Sequence, residues 1–213
     1  MKSETDFKRD VELLYEIGTL RHIQRVWEQM LGPGFANLAE HHFRVAWIAI
    51  LVGQHEGADL GKIAKLALVH DVSEGRTGDV HYVSRQYTQR DERRAILDTL
   101  AGTALAEEFI ALWDEYEAKT SLEAQCVKDA DNLDVNFELR ERAAQGNRLD
   151  AEWRAFRDKM VFPKLYTKTG RELWRASAQS NPHDWHTKGK NRFTTGDWKP
   201  DQAVLLDESL KKL

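Results

Sequence analysis

The chain has 213 residues, 41% of them apolar and 31% charged, a length and composition suited to one soluble domain with an ample core rather than to disorder. Its 31 basic and 35 acidic side chains give a net charge of −4, which argues against a broad surface for polymeric nucleic acid or anionic membrane while allowing one local basic pocket. A single cysteine, Cys126, rules out an internal disulfide and a multi-cysteine zinc site, and fits a reducing compartment. The longest apolar run, Val45 to Val52, is far short of the ~20 residues of a membrane span. The opening residues carry charge and lack the apolar centre of a signal peptide, so a cytoplasmic location is expected.

Prolines occur only at 33, 163, 182 and 200, so nothing between Pro33 and Pro163 must break a helix. Apolar residues there recur at helical rather than alternating spacing. An opening helix is predicted over about 7–30, followed by a Gly-Pro-Gly loop over 31–36. Asn37 is placed to cap the next helix, with Glu40 three residues on completing a capping box. Asp59 is placed to cap a helix running to about His70, a polar helix is expected over 89–117, and Ser121 should cap another through about Arg142. No segment of this core reads as a strand. The last third changes character, with Trp153, Trp174, Trp185 and Trp198 scattered among polar and basic residues. The expectation is an all-α core over 1–145, with 146–213 a mixed helix-and-loop cap packed on it and not an independent domain.

Four ionisable residues sit on lines that should be apolar. His41 shares a stripe with Val45, Ile48 and Val52; His70, with Asp71 beside it, continues Ile63 and Leu66; Asp131 aligns with Ala124, Val127 and Val135. A carboxylate on a core-facing line is costly unless a cation or several donors meet it. Two imidazoles and two carboxylates suit a first-row divalent ion and leave room for water and a phosphoryl oxygen. Each residue also has a plainer reading. A lone helical histidine is more often core or surface than ligand, and His42 has an apolar line of its own with Ala46, Ala49 and Ile50. Asp131 reads equally as a half-exposed acid flanked by Asp129 and Asp134. The chain holds a second His-Asp pair, His183-Asp184, in a Pro-bearing segment that reads as a surface turn. Cys126 reads as core packing, and no Walker-type phosphate loop is present.

The joint pattern is more specific. Ala39-Glu40-His41-His42-Phe43-Arg44-Val45-Ala46 resembles the first motif of HD-domain phosphohydrolases. Leu66-Ala67-Leu68-Val69-His70-Asp71-Val72-Ser73-Glu74 with Thr77-Gly78-Asp79 resembles the second, and Val127-Lys128-Asp129-Ala130-Asp131-Asn132-Leu133 the closing one. The resemblance runs from about Leu13 to Phe137, and Glu74 with Gly78-Asp79 resembles the 5′-deoxynucleotidase branch. It implies His41, His70, Asp71 and Asp131 as metal ligands and selects His41 over His42. It further implies Glu74 as acid/base for the attacking water and Asp79 as its helper. Ile23-Gln24-Arg25 resembles the place of the family's phosphate-orienting arginine and makes Arg25 the candidate; the plainer reading puts Arg25 on the surface and Trp27 in the core. In that branch a tryptophan directly follows this arginine and packs on the deoxyribose; here Val26 intervenes and the tryptophan is Trp27. Lys128 reads as a solvated helix lysine.

The expected activity is therefore metal-dependent hydrolysis of deoxyribonucleoside 5′-monophosphates, using Mn, Co, Fe, Ni or Zn, with Mg allowed. Relatives of this type are often homodimers, which makes a homodimer the expectation. A triphosphohydrolase on the same core would need more basic groups, which Lys188-Gly189-Lys190-Asn191-Arg192 would supply if folded over the pocket. A nucleotide- or metal-binding regulator without turnover would have no need of Glu74.

Overall fold

The computed structural model describes residues 7–188, and among these no strand occurs. The segments beyond them contain Trp198 and residues 189–192 of the basic run, which thus lie outside the described residues. Helix α1 (Phe7–Gly18) tightens into a 3₁₀ turn, Thr19–His22, and stops there. The helix expected to reach residue 30 is overridden by a tertiary pairing. Ile23 is extended, Leu38 N donates to Ile23 O (2.8 Å) and Arg25 N donates to Ala36 O (3.3 Å). Residues 23–25 therefore run as a strap beside the start of a later helix, and only the single turn α2 (Glu28–Leu31) remains helical.

Local capping works as expected in three places. Asn37 and Glu40 form both bonds of a capping box at the head of α3 (Leu38–Glu56). The Asp59 carboxylate accepts from Lys62 N to start α4 (Leu60–Val69), which ends with His70 as its cap. The single turn α5 (Glu74–Thr77) follows and is closed by Gly78, whose φ of +77° favours glycine. The polar helix expected over 89–117 is two helices, α6 (Glu92–Leu100) and α7 (Ala106–Ala118). Gly102 turns the chain between them with φ +73°, and α1 grips the break: Arg9 donates to Thr99 O and Ala101 O, while Asp10 accepts from Ala104 N. Ser121 caps α8 (Leu122–Ala144) as expected.

The core forms where α3, α4 and α8 pack together. Val45, Val52, Ile63, Leu66, Val127 and Leu133 are all fully buried there. The remaining described helices are α9 (Leu149–Met160), α10 (Lys168–Gln179) and the short α11 (Asp184–Thr187). Helix α10 lies across α8 and α3 and buries Trp174. Its seat is electrostatic as well as apolar. Asp129, fully buried on α8, accepts from Tyr166 N (2.9 Å), Thr167 N (2.8 Å) and Thr167 Oγ1 (2.7 Å) at the N-terminus of α10. His183 and the exposed end of α11 lie on the surface, as read from the sequence. No helix of the described residues is long and apolar enough to cross a membrane.

Gly170 sits so close to this seat that a Cβ would come within 2.5 Å of Asp129 Oδ2. Gly170→Ala should therefore destabilise the fold by about 1–3 kcal/mol, read as a lower midpoint in urea unfolding. Cys126 is fully buried, and burial, followed by Glu56, Asp129 and Glu123, pushes its thiol up to about 12. Native protein should resist iodoacetamide at pH 8, and unfolded protein should be alkylated quickly.

Candidate metal centre

Three helices deliver four ligand atoms to one point. α3 supplies His41 one turn after its cap, the end of α4 supplies His70 and then Asp71, and α8 supplies Asp131. One ligand atom from each lies within 4.8 Å of every other. His41 Nε2 is 3.4 Å from His70 Nε2, 3.4 Å from Asp131 Oδ1 and 3.6 Å from Asp71 Oδ2, and His70 Nε2 is 3.3 Å from that same Asp71 oxygen. Ligands bonded at about 2.0–2.2 Å to a shared ion stand roughly this far apart.

The imidazole tautomers fit the same ion. His70 Nδ1 is 2.8 Å from Ala67 O, a carbonyl that can only accept, so Nδ1 carries the hydrogen and Nε2 turns its lone pair inward. His41 Nδ1 is 2.7 Å from Asp134 Oδ2, and that carboxylate does the same for His41. Asp134 is itself buried and held by Arg44 Nε at 2.5 Å, with Arg44 reaching on to Glu141. Burial works against ionising Asp71 and Asp131, yet both are held well below the ordinary carboxylate range. Asp71 is lowered by the His70 charge and hydrogen bonds with His41 and His70, Asp131 by Lys128 and His41. Burial and Arg25 oppose a proton on His41, but Asp131, Asp134 and Asp71 together raise it well above the usual imidazole value. A proton on His41 answers this carboxylate charge, and a divalent cation would take its place, releasing that proton.

His42, the rival ligand, is buried as well, but it points elsewhere. Its ring packs 4.6 Å from that of His70 at a 35° tilt, outside the ligand group. Burial, then the His70 charge, pushes it well below the usual imidazole value, so it packs as a neutral ring.

Glu74 is buried one turn beyond His70. Arg90 Nη1 donates to its Oε1 (3.2 Å), while Oε2 is buried with no hydrogen-bond partner among the described residues. Burial, Asp71 and Asp79 push its carboxyl up to about 9, against Arg25 and Arg90. A dication held beside Asp71 would offset that negative field and favour the ionised form of Glu74. Asp79 is no free turn residue. Its Oδ2 lies 3.3 Å from Arg25 Nη1 and accepts from Val26 N (3.2 Å), clamping the strap. Arg25 is buried rather than superficial, and also faces Asp71 at 3.8 Å. Trp27 packs edge-on against Trp153 of α9, ring centres 5.2 Å apart at 89°, with its buried Nε1 lacking a partner among the described residues. All of these border one cavity of about 550 Å³, the size of a small-molecule site.

Asp129 and Asp134, which flank Asp131, are the most buried carboxylates of α8, whereas Asp131 is partly open to the cavity. Lys128, read as solvated, is half-buried and donates to Asp131 Oδ2 at 2.7 Å. Asp134, Arg44 and Arg90 were not singled out at all. Their partners lie 16 to 97 residues away in sequence, so no local pattern marks them.

The sequence pattern of the HD domain family matches residues 17–174. The chain belongs to the HD domain family. It is 31% identical over 133 residues to "5′-deoxynucleotidase HDDC2" of Danio rerio, an alignment covering 59% of this chain and 65% of that one. It is also 29% identical over 147 residues to "5′-deoxynucleotidase plu3092" of Photorhabdus laumondii, covering 62% and 73%. A crystal structure from Magnetospirillum magnetotacticum, described as a predicted metal-dependent phosphohydrolase, superposes with a TM-score of 0.66 at 26% identity, covering 82% of this chain and 94% of that one. The match spans a little under two thirds of the fish relative's own length. The family is metal-dependent, and the His41–His70–Asp71–Asp131 group could hold the metal.

Asp134 orients a ring without reaching the ligand group. Asp134→Asn is expected to weaken Mn²⁺ binding about 10–100-fold, measured by titration of metal-stripped protein, with the helical circular dichroism unchanged.

Proposed function

We propose that this protein is a metal-dependent phosphomonoesterase that converts deoxyribonucleoside 5′-monophosphates to deoxynucleosides and phosphate. The observation that carries the reading is Glu74. A buried carboxylate with one oxygen anchored by Arg90 and the other unclaimed, beside a four-ligand group, suits an acid/base and has no use in a pure binder. The names of the relatives support the nucleotide class.

His41, His70, Asp71 and Asp131 would hold a divalent ion, with Mn, Co, Fe, Ni and Zn all suited to imidazole and carboxylate and Mg allowed. When bound, that ion supplies Lewis acidity, lowering the pKa of water and offsetting charge on phosphoryl oxygens. Glu74 Oε2 takes the proton from the attacking water and returns one to the departing 5′ oxygen. Arg25, its guanidinium set by Asp79, orients the phosphate. Asp79 thereby acts by positioning. Trp27, braced by Trp153, offers an apolar wall for the sugar although Val26 separates it from Arg25. Residues 1–145 are then the core that carries the chemistry and 146–213 its extension, of which the described part, to residue 188, borders the cavity through Trp153, Phe156 and Arg157. A cytoplasmic homodimer completes the reading, in keeping with the free, buried Cys126.

The test is phosphate release from the four dNMPs, the four NMPs and dATP, using metal-stripped protein with Mn²⁺, Co²⁺, Mg²⁺ or Zn²⁺ restored. Release from dNMPs over NMPs is expected, with Glu74→Ala lowering kcat by about 10²–10⁴ while metal content stays the same. Tripolyphosphate from dATP would instead assign a triphosphohydrolase. Nucleotide binding by calorimetry with no turnover in any metal would assign a regulator.

A further inference from the structure

Most cations bordering the cavity are already committed. Arg25 faces Asp71 and Asp79, Arg90 faces Glu74 and Glu92, and Lys128 faces Asp131. Arg85 is unpaired but exposed, where water solvates it. Arg157 of α9 is different: it is buried, borders the cavity and makes no ion pair with any described residue.

The partners of Arg157 are neutral. Nε donates to Asn136 Oδ1 (2.9 Å), Nη2 donates to Asn132 O (2.6 Å), and the guanidinium lies 5.2 Å over the Trp174 ring. Nη1 has no hydrogen-bond partner among the described residues. The aspartates around it act only at longer range and have other partners: Asp131 with Lys128, Asp134 with His41 and Arg44, Asp158 with Trp174 Nε1. Burial pushes its pKa down to about 10, so it stays charged at neutral pH, uncompensated by its surroundings. Buried charges are normally paired. One left bare beside a cavity has a preorganised fork for an anion that comes and goes. Arg157 lines the same cavity as Asp71, Glu74 and Asp131.

We infer that Arg157 is a phosphate-binding residue, contributed by α9 to the cavity that Arg25 also borders. The ligand is a phosphate of the substrate, either the scissile 5′ group or a second phosphate on the same nucleotide. Its identity as nucleotide phosphate rests on the phosphohydrolase reading; the anion site itself does not.

The probe is inorganic phosphate, titrated by calorimetry into Mn²⁺-loaded wild type, Arg157→Met and Arg85→Met. Phosphate affinity is expected to fall about tenfold or more in Arg157→Met and to stay within about twofold of wild type in Arg85→Met. A purely structural tie would give the opposite pattern, a lower Tm with unchanged phosphate affinity, and would overturn the inference; so would equal losses in both variants. If Arg157→Met does not fold, Arg157→Gln, which can still bond Asn132 and Asn136, is read in the same way. KM for dAMP and for deoxyadenosine 3′,5′-bisphosphate separates the two phosphates. A rise for both assigns the scissile group, a rise for the bisphosphate alone assigns the second, and no rise for either overturns the role in substrate binding. Phosphate binding that needs Arg157 in a protein inactive on dNMPs would sink the nucleotidase reading and keep the site. Turnover of dNMPs indifferent to Arg157 would do the reverse.

Discussion

Two imidazole Nε2 atoms face each other at 3.4 Å, each ring fixed from behind through its Nδ1, and two carboxylates held well below the ordinary range join them. Carboxylates this close to one another repel, in a buried place water cannot dilute the repulsion, and a proton on His41 offsets part of it. Everything nearby accommodates that concentration of charge. Lys128 leans on Asp131, Arg25 on Asp71, and Arg44 on the carboxylate behind His41. The helices packed most extensively, α3 and α8, are those that bring His41 and Asp131 together, so the apolar core holds the ligand atoms in place against their mutual repulsion. A cation relieves the strain at its source, which makes metal binding and stability two views of one free energy.

The parts legible in the sequence were those whose physics is local. Asn37, Asp59 and Ser121 cap their helices through a side chain and a backbone N–H three residues on, so reading four residues was enough. His41, His70, Asp71 and Asp131 stood out as polar residues on apolar stripes, but each stripe also had a plainer reading, and it was the joint motif pattern and its family resemblance that tied the four together. The opening helix failed because its end is decided by hydrogen bonds to residues 36 and 38, not by its own propensity. The polar helix over 89–117 failed in a similar way, at a glycine turn secured by Arg9 and Asp10 from the far end of the chain. On α8, the acids at 129, 131 and 134 look alike in a string of letters. Only α10 and α3, folded against them, make 129 and 134 the buried pair.

The cap contributes to the site in the same nonlocal manner. Asp129 receives the N-terminus of α10, Trp174 closes the core beneath it, and α9 turns Trp153 and Arg157 toward the cavity. The core motifs thus supply one side of the pocket and the tail the other. Helix α9 is tied to α10 by Trp174 Nε1 donating to Asp158 and Arg154 donating to Ala178 O, so the wall it gives the cavity follows how α10 is seated.

The strap of residues 23–25 is bonded to residues 36–38, immediately before the turn that carries His41. Arg25 and His41 therefore belong to one rigid piece, although sixteen residues separate them. What lies between, α2 and the Gly-Pro-Gly bend, is an excursion anchored at both ends, and lengthening such a loop adds little entropic cost. The excursion is itself moored, with Leu31 and Phe35 buried against Val135 and Leu139 of α8. Diversity in this stretch is therefore confined to the residues that face the cavity or solvent, while its two ends keep Arg25 and His41 in register.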